Sequence, residues 1–458
     1  MRFLGFLGAV FWLTSTTVLA QEQKKTLTDL IESAKTHLPI LKQKAAQLNA
    51  AKAVVTDVEH SFLPQIRASA QYSFGSDNAL SGVTLPFISN ISISGGNRAD
   101  NKLEPATGSL AVLYGEYELY NFGLNNAKRN AVNAFIDLNN SDLQREMYLI
   151  ELNVAKTYFY ILKNQNKLAT EKQNIERYES LFDLIRAQVR SGLRPGSDTS
   201  SAKAEISKAH ISYNQTLGTL NQYKVQLTYL TGINSEELLA ISFEPFRNND
   251  NSKLIVPGAV LTTNPLIDYL YKKKNIYDLN EKVIEKSFLP KIVLGASVLA
   301  RGSSIQYNDN YQSLLEGFGF QRFNYVVGAA INYNLLNNLY KRDKVAIYKI
   351  QTEANDFEIQ QQVETLNTAT LQAENAIQTA RANLLEIPNQ ILAAQETYSQ
   401  KLAQYKSGLI SLNDLRNAAL LVYRAQSDEV DFQTDWFTSQ LERAAATGNL
   451  DAFIQSLK

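Results

Sequence analysis

The feature that most restricts this chain is that part of it is written twice. Ser61-Phe62-Leu63-Pro64-Gln65-Ile66 returns 226 residues later as Ser287-Phe288-Leu289-Pro290-Lys291-Ile292, and Pro39 and Pro265 share that offset. Farther along, Tyr117 and Tyr333, Ser191-Gly192-Leu193 and Ser407-Gly408-Leu409, and Thr231-Gly232 and Thr447-Gly448 all lie 216 residues apart. The register shifts once, by ten residues, between Ile66 and Tyr117. A repeated unit implies two similar halves. The 458 residues, which on length alone suggest about three domains, therefore read as one duplicated architecture. The expected divisions are 21–232 for the first repeat, 233–262 for a linking segment, 263–448 for the second repeat and 449–458 for a tail.

Each half reads as helix, two strands, very long helix, turn, long helix. Ile66, Ala68, Ala70, Tyr72 and Phe74 alternate with Arg67, Ser69, Gln71 and Ser73. In the second half the alternation runs from Arg322 to Leu335, with Phe323, Tyr325, Val327, Ala329, Ile331, Tyr333 and Leu335 on one face. Period-two patterning makes strands with one apolar and one largely polar face. Residues 109–120 and 292–301 supply the second strand of each pair, across polar linkers 75–108 and 302–321. From Leu124 to Arg190 there is neither Gly nor Pro, so a single helix of ~100 Å is predicted at 1.5 Å per residue. Its counterpart, 340–406, contains Pro388, which should kink it. Returning helices at 197–230 and 411–447 would pair with the long ones as coiled coils.

Four strands of this length suit a bilayer crossing, but a membrane admits only closed barrels. Four cannot close, so several chains must contribute. Two copies would give eight strands with a filled bore, and three would give twelve around a wet lumen. The polar strand faces favour the trimer. Residues 1–20 carry Arg2, an apolar run and Val18-Leu19-Ala20 before Gln21, the layout of a cleaved secretory signal rather than an anchor helix. The chain has no Cys, which excludes disulfides, thiolate chemistry and a lipidated N-terminal Cys. Its 45 basic and 45 acidic side chains leave no basic surplus for nucleic acid.

With Leu27-Thr28-Asp29-Leu30-Ile31 leading to Leu38-Pro39, Phe62-Leu63-Pro64 opening a strand, and the twin Ser-Gly-Leu turns each followed by an Asp, the mature chain resembles the TolC family of outer-membrane channel proteins. The resemblance implies an α+β membrane protein: a trimeric twelve-stranded transmembrane β-barrel, four strands per chain, continuous with a periplasmic α-helical barrel. It implies an equatorial region at 233–262 and the C-terminal tail. It also implies a passive exit duct in the outer membrane of a Gram-negative-type cell, docking a periplasmic adaptor and an inner-membrane transporter. Protein secretion of the type I kind is an alternative use of the same duct, and a non-conducting periplasmic coiled-coil scaffold is an alternative of another class.

In such a duct the hairpin tips form the entrance. Asp198 and Asp414 match acidic entrance positions of the family, and Tyr405 matches a gate tyrosine that bonds across neighbouring helix pairs. Six carboxylates per trimer would favour cations. The plainer reading is helix capping by Ser197/Asp198 and Asn413/Asp414, and the two can coexist. Ser191, Gly192, Leu193 and Ser407, Gly408, Leu409 match adaptor-docking turns, while their glycines would in any case be C-caps. The chain departs from the family at Ile410, where a gate arginine is expected, and at Asn417, where a second aspartate is expected. Arg194 and Arg416 are basic instead, and a link from Arg194 to Asp414 or Tyr405 could hold a closed state. Nothing points to catalysis: His37, His60 and His210 lack metal-ligand spacing, and no nucleophile-elbow or phosphate-loop motif is present. Gly317-Phe318-Gly319 lacks the third glycine of a phosphate motif and falls in a predicted loop. No cofactor or metal is required.

Overall fold

The computed structural model describes residues 26–76, 78–81, 94–97, 99–234, 264–306 and 309–457. The expected leader, 1–20, and nearly all of the linking segment lie outside the described residues. The described chain forms two compact units. Among the described residues a helical unit takes those from 26 to 45, from 141 to 269 and from 359 to 457; a second unit takes those from 46 to 140 and from 270 to 358. Both draw on both halves of the sequence.

The second unit is organised by a four-stranded antiparallel sheet in the order β1 (Gln65–Gly75), β4 (Ala106–Tyr120), β5 (Lys291–Ser303), β6 (Arg322–Asn332). A small pair, β2 (Ala79–Ser81) and β3 (Ser94–Asn97), lies between β1 and β4 in the chain. Directly paired residues point to the same side, so the register sorts the side chains into two faces. One carries Ile66, Ala68, Ala70, Tyr72 and Phe74 of β1, then Leu113 and Ala111 of β4. It continues through Leu294, Ala296, Val298 and Ala300 of β5 to Phe323, Tyr325, Val327 and Ala329 of β6. The other carries the charged residues Arg67, Glu116, Glu118, Lys291, Arg301 and Arg322 and the polar Ser69, Gln71, Ser73, Ser297 and Asn324, together with Leu110, Val112, Val293, Leu299 and Val326. A bulge between Glu118 and Tyr120 turns Tyr120 onto the apolar side, opposite Ile292. Aromatics therefore flank the apolar band at both ends, Tyr72, Phe74 and Phe323 at one and Tyr117 and Tyr120 at the other, with Tyr325 at its middle level beside Val298. β1 and β6 are edges, exposed along their whole length.

β6 stops at Asn332, short of the predicted Leu335. Asn334 accepts from the backbone of Leu336 and Asn337, turning the chain into the next helix. The strands enter and leave α2 (Pro39–His60), α3 (Leu124–Arg190), α5 (Pro265–Ser287) and α6 (Asn337–Lys406). The predicted first helix is two, since α1 (Leu27–His37) ends at Leu38 in extended conformation before Pro39 opens α2.

The helical unit packs α1, the tip-ward parts of α3 and α6, their returning partners α4 (Gly196–Thr231) and α7 (Leu412–Thr447), and α8 (Leu450–Ser456). α3 is one unbroken helix of 67 residues, and α6 runs 70 residues through Pro388 without interruption. Burial follows the heptad: Ile150, Thr157, Asn164, Glu171, Tyr178 and Ile185 of α3 are all buried, as are Ile359, Leu366, Ala373, Ala380, Ile387 and Ala394 of α6. Phe159 anchors the largest cluster, stacked on Phe437 at 5.7 Å and leaning on Phe453 of the expected tail at 6.3 Å. Burying such a ring stabilises by about 2–3 kcal/mol.

Candidate functional site

The two hairpin turns are built alike. Gly192 and Gly408 have φ of +73° and +78°, a conformation glycine adopts without strain. Gly192 N donates to the carbonyl of Val189 and Leu193 N to that of Gln188; Gly408 and Leu409 do the same to Tyr405 and Gln404. This is the paired bond pattern of a Schellman C-cap, whose next residue normally folds back on the helix. Here Leu193 and Leu409 stay 72% and 76% exposed, while Ser191 and Ser407 bond back to the carbonyls of Ala187 and Ala403.

Arg194, in the first turn, ties down the second. Its Nη2 donates to the Tyr405 carbonyl at 3.2 Å and the Ile410 carbonyl at 3.0 Å. The guanidinium lies 4.5 Å from the centre of the Tyr405 ring, and it faces the negative end of α6. Tyr405 is completely buried, packed with Tyr178, Leu181, Ile185 and Leu415. Its hydroxyl has no hydrogen-bond partner among the described residues. Burial and then the Asp198 carboxylate push its pKa up, against the opposing charge of Arg194, so it is a neutral donor at physiological pH.

Of the two partners predicted for Arg194, the structure brings Tyr405 to it. Asp414 is engaged elsewhere: its carboxylate accepts from Ser411 N at 3.1 Å and Oγ at 2.7 Å, and Ser411 Oγ accepts from Asp414 N. That capping box makes Ser411 the N-cap of α7, in place of the predicted Asn413/Asp414. The bonds from Ser411 hold the Asp414 carboxyl below its ordinary range. The first turn is capped differently again: Pro195 is the N-cap of α4, with no side-chain bond from Ser197 or Asp198. Arg416 turns to Glu205 at 3.1 Å.

Sequence reasoning missed a polar seam behind the turns. Glu171, 1% exposed, accepts from the hydroxyls of Ser212 and Tyr423, both at 2.7 Å. Burial and that bond push the Tyr423 pKa up to about 12. Beside it, Asn174, Tyr178, Glu205, Lys208 and Arg416 line a pocket of about 230 Å³. The signal was available, because Glu171 occupies the buried heptad row of α3. Among the described residues there is no cluster of His, Cys, Asp and Glu suited to a metal, and no helix long and apolar enough to cross a membrane.

The described chain thus combines long helical hairpins, ending in two alike turns, with a four-stranded antiparallel sheet that has one apolar face. Residues 30–233 and 281–449 match the outer membrane efflux protein family, and the chain belongs to it. The resemblance to TolC-like channels is thereby borne out, and the family it joins is one of outer-membrane efflux proteins, which are not enzymes. A relative is toxin and drug export protein A of Aggregatibacter actinomycetemcomitans, 21% identical over 306 residues, covering 63% of this chain. The chain spans only 62% of that protein's length. The outer-membrane channel OprN superposes with a TM-score of 0.74 at 16% identity, over 92% of this chain and 90% of its own. VceC of Vibrio cholerae gives 0.72 at 16%, over 92% and 96%. The open-state MtrE channel of Neisseria gonorrhoeae gives 0.67 at 18%, over 93% and 89%.

Proposed function

We propose that this chain is one third of an outer-membrane exit duct of a tripartite efflux system. Three copies form a twelve-stranded barrel in the outer membrane and a helical tube in the periplasm. The tube docks a periplasmic adaptor and an inner-membrane transporter, and conducts substrates passively. The observation that carries the reading is the sheet, with an apolar face, a polar face and two uncovered edges. In lipid those edges must be paired, and three sheets of four strands close around a lumen wide enough for water. Aromatics at both ends of the apolar band suit the two membrane interfaces.

The helical unit supports assembly of like copies side by side. α3 and α7 meet through Lys163–Asp431 at 2.8 Å, Arg177–Gln426 at 2.9 Å and Tyr423–Glu171. Apolar rows stay uncovered on the other helices: Ile211, Val225 and Tyr229 on α4, and Leu371, Leu385 and Leu392 on α6. Measured from the turns, Ile211 and Leu392 lie at one depth. Gly218, with open space where a Cβ would stand, lies at the depth of Leu385. Tyr229 and Leu371 form a third level. The α4 of one copy and the α6 of the next thus complement each other as an antiparallel pair, a heterologous contact that closes into a ring.

At the tips, Arg194 replaces the gate arginine missing at Ile410, with Tyr405 as its target and Asp198 and Asp414 giving the entrance its negative charge. The exposed Leu193 and Leu409 are the adaptor contacts. Purified protein in a planar bilayer tests the function: stepwise single-channel currents are expected, and their absence across independent reconstitutions would reduce the chain to a periplasmic scaffold.

A further inference from the structure

The segment between β5 and β6 reads as a polar linker, but the structure folds it down onto the sheet. Ser304 N donates to the Thr107 carbonyl, and Ser304 Oγ accepts from Thr107 N at 2.8 Å. Thr107 Oγ1 donates to the Leu314 carbonyl, and Ser109 Oγ to that of Gly319 at 3.4 Å. The register says which side this is. Phe74 pairs with Thr107, Tyr72 with Ser109, and Ser109 with Gly302, so all five belong to the apolar face. Phe318 meets Tyr72 on that same side, ring centres 5.9 Å apart.

The sheet is cut away to receive it. Where lower levels of the face carry Leu113, Val298 and Val327, these last two levels carry Thr107, Ser109 and Gly302. A Cβ on Gly302 would collide with the Gly319 carbonyl, and one on Gly317 with Thr107. The Gly-Phe-Gly triplet, which has no nucleotide-binding context, thus lets the backbone lie flat on the strands. What it presents outward is apolar: Leu315 is 79% exposed, Phe318 46% and Phe320 41%. Tyr72, which Phe318 meets, and Phe323 at the next level of the apolar face are themselves exposed. A water-facing loop gains nothing from such a patch, whereas aromatic and aliphatic side chains at the rim of an apolar band belong at a lipid interface.

We propose that residues 313–320 are a membrane-interface anchor, seating Leu315, Phe318 and Phe320 among the headgroups and upper acyl chains of the leaflet at the loop end of the barrel. The occupant is lipid, because the patch continues the apolar band without a break. Glu316 keeps the segment at headgroup level. The inference rests on the barrel reading above, and one experiment separates the two. Leu315→Trp, Val298→Trp in mid-band and Val326→Trp on the polar face are each reconstituted, as the full processed protein, in phosphatidylcholine vesicles. The lipid is either plain or brominated near the headgroup end of the acyl chains. Of the two Trp in the sequence, Trp12 falls in the expected leader and is lost from the processed protein, so Trp436, 3% exposed in the helical unit, gives a constant background. Bromine should quench Leu315→Trp and Val298→Trp and leave Val326→Trp unchanged, with Leu315→Trp emission blue-shifted relative to the protein in detergent-free water-exposed controls. Quenching of Val298→Trp without Leu315→Trp overturns the anchor alone. Loss of quenching at both overturns the barrel reading and the anchor with it.

Discussion

Arg194 makes two hydrogen bonds and a ring contact to the neighbouring hairpin, all from one side chain. Hydrogen bonds to a charged group contribute about 1.5–3 kcal/mol, discounted here because the site is only partly buried. Arg194→Ala should therefore loosen the entrance and raise single-channel conductance, and Arg194→Lys should fall between, having charge without the fork. Unchanged conductance in Arg194→Ala would remove it from the gate. A second residue-scale test concerns Glu151, 10% exposed in its side chain and 2.8 Å from Lys35. Burial holds its carboxyl above the ordinary value, opposed by the Lys35 hydrogen bond. Removing the ammonium in Lys35→Met raises it further. A carboxyl whose folded pKa lies above its unfolded value costs no stability below the unfolded pKa. The cost accumulates between the two values, where only the unfolded chain is ionised, and levels off above the folded one. The loss of thermal stability in Lys35→Met should thus be small below the unfolded carboxylate pKa and grow as pH rises through the folded one. It should stay below the ~3–5 kcal/mol of a fully buried broken pair, since Lys35 is 23% exposed. Melting curves across that pH range decide it.

At the scale of elements, the strands and long helices were legible because their periods are local. Strict alternation in β1 cannot be satisfied by a helix, and the Gly- and Pro-free run over α3 leaves no place to break. What was not legible depends on short-range hydrogen bonds that override the period, or on partners across the fold. Leu335 continues the alternation of β6, yet Asn334 bonds forward and ends the strand before it. Caps shifted by two or three residues for the same reason: Ser411 and Asp414 satisfy each other reciprocally, which the identity of Asn413 does not reveal. Residues 302–321 read in sequence only as a polar linker, because their packing depends on Gly302 and Thr107 across the sheet. Gly302→Val should lift that segment without removing any of its apolar residues. Cleavage by chymotrypsin after Phe318 should then accelerate in intact cells while the barrel remains. Cleavage as slow as in the parent would show that the close approach holds nothing in place.

For the whole molecule, the central claim is that the exposed rows on α4 and α6 and the two open sheet edges are filled by identical copies, three to a ring. Strand count and face polarity, both readable in the sequence, favour three copies, whereas the proposed pairing of Ile211 with Leu392 depends on which rows are left exposed once the heptad seams are buried. The natural absence of Cys makes the claim directly measurable. In the double variant Ile211→Cys/Leu392→Cys, oxidation in membranes should link each copy to the next, giving a ladder on denaturing gels that ends at the trimer. The displaced pair Ile211→Cys/Leu371→Cys, offset by ~30 Å of helix rise, should stay monomeric. A ladder that stops at the dimer, runs past the trimer, or forms equally well with the displaced pair would contradict the account.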